Sequence, residues 1–129
     1  MPDLLFWLYL TNAVILICHE IDSAYWREWE LFNLPGGAGF FVLLHLPLMF
    51  VVLYGLVLVR EGSVAGLVIS ALLAVSGIFA FTAHMFFIAR GHHQFQTPIS
   101  LFILLATLLM SLAQAIVTVM MLAGVACVS

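Results

Sequence analysis

The sequence predicts an all-α integral membrane protein, an up-down bundle of four transmembrane helices. Three observations predict it. Of 129 residues, 66% are hydrophobic and 7% are charged, where a soluble domain carries roughly 25% charged residues. Lysine is absent, so no polar surface of ordinary size can be built. The apolar residues fall into four runs, each close to or above the about 20 residues that cross a hydrocarbon core, with proline, glycine or charge at every junction. The connections are short, so neighbouring helices are expected to run antiparallel. The length fits one domain, residues 1–129.

The first span is read over Leu4 to Tyr25. Asp3 is its only early side-chain charge, and no small-x-small cleavage site follows, so it is expected to be a retained span rather than a signal peptide. It runs into "CHEIDSAYWREWELF", which holds four of the six carboxylates of the chain. Trp26 and Trp29 suit the headgroup zone, and Arg27, Glu28 and Glu30 are expected to face water from a helical extension or a short interfacial helix. "NLPGG" turns the chain into the second span, Ala38 to Val59, which contains Pro47. "REGS" precedes the third, Val64 to Ala89, and "RGHHQFQT" precedes the fourth, Pro98 to Val128. Cys18 and Cys127 fall toward opposite membrane faces, which argues against an internal disulfide. With a net charge of −3 and three scattered arginines, the chain is not expected to bind nucleic acid. Its expected surroundings are the lipid bilayer, and a second copy or a membrane partner could dock on a small-residue helix face. Arg27 and Arg90 against Arg60 lean the Trp26 side toward the cytoplasm.

The histidines carry the functional signal. His19 lies seven residues before Trp26, His45 seven after Ala38 and His84 six before Arg90. At 1.5 Å rise per residue, all three sit roughly 9–11 Å below the same membrane face. His92 and His93 lie in the loop at that face. Asp22, three residues from His19, shares its helix face, whereas Glu20 points about 100° away. Ionisable groups at such depth cost about 2.5–3.5 kcal/mol on insertion scales, so three at one level call for a common reason. A divalent metal is the simplest, because imidazole and carboxylate suit zinc or iron. The expected ligands are His19, His45 and His84, with Asp22 as a ligand or as an orienter of one histidine. His92 or His93 could fold back over the site. Glu20 and Glu28 are the candidate general bases. A purely structural hydrogen-bonded network and a haem are the alternatives.

Two further patterns bear on packing. Ser70, Gly77, His84 and Gly91 recur every seven residues along the third span, with Gly66 four residues before Ser70, a small-residue stripe that lets a neighbour approach closely. The fourth span carries Ser100, Thr107, Ser111, Gln114 and Thr118 on one face. Gln114 and Asn12 fall at similar depth, so a hydrogen bond between helices is expected there.

The string "HEIDSAYWREWELFNLPGG", one histidine in the second span and "HMFFIARGHHQFQTP" together resemble small bacterial four-span membrane proteins of unassigned function. They are similar to the domain-of-unknown-function groups related to the HXXEE family, which pair an N-terminal His/Glu motif with later histidines. The resemblance implies a bacterial inner-membrane location and a metal-linked role for His19, His45 and His84, but no particular activity. Three functions stay open: a membrane metalloenzyme acting on a lipid or other apolar substrate, a non-enzymatic binding or assembly protein, and a small metal or proton carrier. The chain has neither a desaturase-type set of histidine boxes nor an H-E-x-x-H helix, so no reaction class is fixed.

Overall fold

The computed structural model describes residues 1–127, and helices are the only regular secondary structure among them. Four long helices, α1 (Pro2–Tyr25), α3 (Gly37–Arg60), α4 (Val64–Ala89) and α5 (Pro98–Ala126), are each long and apolar enough to cross a membrane. A single turn, α2 (Glu28–Leu31), lies in the connection between α1 and α3. The chain is thus an all-α four-helix membrane bundle, as its composition and breaks predict. Val128, taken as the end of the fourth span, lies outside the described residues.

Local chemistry sets the helix ends. Pro2 and Pro98 occupy the first turns of α1 and α5, where a missing N–H costs nothing. Ser63 and Thr97 cap α4 and α5 by accepting from Gly66 N and Ser100 N at 3.0 and 3.2 Å, which satisfies orphan amides of the first turn. After α4, Gly91 adopts φ 89°, and its amide and that of His92 bond back to Ile88 and Phe87 carbonyls. This is the left-handed glycine ending that closes the last turn.

The burial pattern is the reverse of a soluble protein's. Leu46, Phe50 and Phe102 are among the most exposed side chains, at 67–69%. Asn12, Ser70, Ser111, Gln114 and Thr118 are fully buried. Only a hydrocarbon solvent makes that arrangement favourable, because unpaired polar groups must be satisfied inside the bundle. Each of α1 and α4 packs on both α3 and α5, and the two run parallel across the centre; α3 and α5 make no contact among the described residues.

The expected bond between Asn12 and Gln114 is present, Nδ2 to Oε1 at 2.8 Å. It belongs to a larger layer. Gln114 Nε2 donates to the Ser70 carbonyl and hydroxyl at 2.9 and 3.0 Å, and Ser70 shares a hydrogen bond with Thr118 at 2.8 Å. The layer ties α1, α4 and α5 together.

The small-residue stripe of α4 is used within the chain. A Cβ at Gly77 would run into Ser111 Oγ, and one at Gly66 would run into the Leu58 carbonyl and the Val59 nitrogen. At Gly66 the obstacle is backbone, which cannot swing aside as a side chain can. Gly66→Ala is therefore expected to destabilise the bundle by about 1–3 kcal/mol, the usual penalty of overpacking. Equilibrium unfolding in mixed micelles measures it; a cost below about 0.5 kcal/mol contradicts the tight α3–α4 approach.

Candidate metal centre

Three neighbouring residues of α1 look in three directions. His19 faces the centre of the bundle and is 2% exposed. Glu20, about 100° further round the helix, faces α3. Asp22, about 60° the other way, faces α5. Helical rotation alone spreads these groups over three neighbours.

Across the centre His19 meets His84 of α4, ring centroids 4.8 Å apart and edge to face. His84 is held by its own helix, because Nδ1 lies 2.7 Å from the Ala80 carbonyl. A carbonyl only accepts, so Nδ1 carries a proton, and in the neutral ring Nε2 presents a lone pair. That lone pair is buried without a partner among the described residues. It lies 3.6 Å from Glu28 Oε1, beyond hydrogen-bond reach. In the neutral ring this sets a nitrogen lone pair opposite a carboxylate oxygen.

Glu28 reaches this position through α2. Arg27 takes a left-handed conformation, φ 56°, and reverses the chain so that Glu28 turns down onto the bundle while Arg27 and Glu30 stay exposed. The expectation that Glu28 faces water is corrected here: its side chain is only 12% exposed. His19, Glu28 and His84 each offer a ligand atom, all within 4.8 Å of one another. Ligand bonds of 2.0–2.2 Å in tetrahedral geometry put neighbouring donors about 3.4 Å apart. The 3.6 Å Nε2–Oε1 separation is close to that edge.

The second-span histidine repeats the pattern. His45 Nδ1 donates to the Phe41 carbonyl at 2.7 Å, and Nε2 lies 2.7 Å from Glu20 Oε2. Since Nδ1 is already the donor, a hydrogen bond at Nε2 requires one more proton shared between Glu20 and His45. Glu20, Glu28, His19, His45 and His84 all line one cavity of about 450 Å³. Phe32, Phe41 and Phe79 supply much of its apolar wall.

Asp22, His92 and His93 are not brought into this group. Asp22 accepts from Ser100 Oγ at 3.0 Å, and Thr97, which caps α5, bonds Ser100 in turn at 2.6 Å. Asp22 thus anchors the start of α5 and orients no histidine; His19 Nδ1 has no partner among the described residues. His92 and His93 are exposed in the α4–α5 loop. The residue that folds back from that loop is Phe95. It is 1% exposed, left-handed at φ 68°, and packs edge-on against His84 with centroids 4.2 Å apart. A bulky residue in that conformation costs of order 1–3 kcal/mol, which the burial of its ring offsets. Nothing in the sequence marks Phe95 apart from ten other phenylalanines.

The sequence profile of a family of unknown function, DUF6713, matches residues 5–121. The chain belongs to that family. The matched stretch holds every residue of the cavity and of the buried polar layer in this DUF6713 member. No curated protein and no solved structure matches the chain significantly.

Proposed function

We propose that the chain is a membrane-embedded metal protein, with His19, His84 and Glu28 holding a divalent zinc or iron ion, and that it acts as an enzyme on a lipid or other apolar substrate. The observation that carries the reading is the buried, unpartnered Nε2 of His84 facing Glu28 across 3.6 Å. Two imidazoles and one carboxylate form a donor set common to catalytic zinc and non-haem iron sites, which keep open positions. Such an ion supplies a Lewis acid or an activated water when bound. The residues of the chain do the rest. The carbonyl of Ala80 fixes the tautomer of His84, Phe95 shields its ring, and the proton shared by Glu20 and His45 provides a general acid or base at the cavity wall. This moves Glu28 from candidate base to candidate ligand and leaves Glu20 as the base.

The competing reading, a non-enzymatic bundle held by its polar network, draws support from the layer of Asn12, Ser70, Gln114 and Thr118, where hydrogen bonding serves packing alone. Cobalt substitution separates the two. The metal reading predicts visible absorption bands of a low-symmetry nitrogen and oxygen site in purified protein, changed in position by Glu28→Gln. Bands identical to those of free aqueous cobalt would remove the metal centre and leave the structural reading.

A further inference from the structure

Two smaller cavities meet the main one at Glu20. The first, about 80 Å³, runs from Glu20 and Ser76 toward the bilayer centre between α1, α3 and α4. Its walls are apolar, with Ala13, Leu16, Met49, Val52 and Leu73 among them. From Glu20 to Ala13 the helix rises about 10 Å. Just below, Tyr9 on α1 donates to the Val52 carbonyl of α3 at 2.7 Å and bridges the crevice. The second, about 220 Å³, lies along the outer side of α1 and α3 beside Glu20 and His45. Ile21 and Val42, which line it, are each 65% exposed to the bilayer. The Glu20–His45 hydrogen bond therefore stands between a lipid-facing crevice and the inner cavity.

We propose that this junction is a lateral entry for a single-chain, uncharged amphiphile. The end of its tail lies in the crevice lined by Leu16, Met49 and Leu73, and the rest of the chain with its oxygen-bearing head lies in the main cavity. The substrate class rests on the metal-centre reading for the fate of the head, but the binding does not. At about 80 Å³ the crevice has room for only a few methylene groups of one chain. A tail moving in from lipid exchanges one apolar phase for another, so hydrophobicity gives no discrimination; shape and the head group decide. The main cavity is lined by two carboxylates, Glu20 and Glu28, and by neither lysine nor arginine. With no ion bound, an anionic head meets repulsion there that is strong at low dielectric, whereas an alcohol, ester or amide can hydrogen-bond to the Glu20–His45 pair.

The test is photolabelling of the full chain, freed of metal with a chelator, in phosphatidylcholine nanodiscs with a decyl alcohol carrying a diazirine near the tail end, against a decanoic acid carrying the same group. Peptide mapping is expected to place saturable alcohol labelling on Leu16, Met49 or Val52, displaced by excess decanol, with the acid labelling these residues more weakly. Leu73→Trp, which fills the crevice, is expected to reduce the labelling at least about tenfold. Met49→Phe serves as a second filling variant if the first fails to fold. Labelling that does not saturate and spreads over lipid-facing Leu43, Leu46 and Phe50 overturns the proposal, as does equal labelling by the acid. Metal content is read on the same preparation before the chelator is added. Crevice labelling without metal overturns the metal centre alone, and metal without crevice labelling overturns this entry site alone.

Discussion

Gln114→Met is expected to destabilise the bundle by about 2 kcal/mol, near the upper end of what interhelical hydrogen bonds contribute in membranes. Methionine keeps the length of the side chain and removes its donors and acceptor. Asn12 Nδ2 then loses its 2.8 Å acceptor, and the Ser70 carbonyl and hydroxyl lose the amide that holds them. The change removes three hydrogen bonds at once, which explains why the loss exceeds that of a single typical bond, although Asn12 keeps Ser111 at 3.1 Å and Ser70 keeps Thr118 at 2.8 Å. The measurement is equilibrium unfolding in mixed micelles. An Asn12→Leu/Gln114→Met double variant is expected to lose less than the sum of the singles, because each single change already breaks the bond the two residues share. Additive losses would mean that the layer is a set of independent contacts.

His84→Ala is expected to weaken zinc binding by at least about 100-fold, since even partners that only orient a ligand are worth 10–100-fold. Competition with a coloured chelator gives the number. The fold is expected to survive, because the layer of Asn12, Ser70, Gln114 and Thr118 lies nearer the opposite face and shares no hydrogen bond with His84. Asp22→Asn supplies the contrast. Asp22 accepts from Ser100 and holds the start of α5, so the change is expected to leave zinc affinity unchanged. A variant that loses zinc through Asp22 but keeps it without His84 would place the ion on the other side of α1.

The four spans were legible because hydropathy and breakers act locally. A run of apolar residues needs no partner to declare that it belongs in lipid, and Pro2, Ser63 and Pro98 mark helix starts by their own chemistry. The common depth of His19, His45 and His84 was legible too, because a helix converts residue number into height. The same conversion gave the Asn12–Gln114 bond. Direction around the axis was harder. Glu20, His19 and Asp22 are plainly on different or shared faces from their spacing, but which neighbouring helix each face meets depends on the arrangement of the bundle. Asp22 sits only about 60° from His19, and that angle is enough to hand it to α5. Least legible were Glu28 and Phe95. Both reach the site through left-handed backbone at non-glycine positions, Arg27 and Phe95 themselves. No local preference announces such a conformation; tertiary packing imposes it.

The central claim is that His19, Glu28 and His84 hold a metal ion. The most direct test is the metal content of the wild-type chain, purified in detergent without chelators or an affinity metal and analysed by mass spectrometry beside a His19→Ala/His84→Ala variant of matched helicity. The account predicts close to one zinc or iron per chain in the wild type and only background in the variant. Background metal in both, with the wild type fully folded, or equal metal in both, would contradict it.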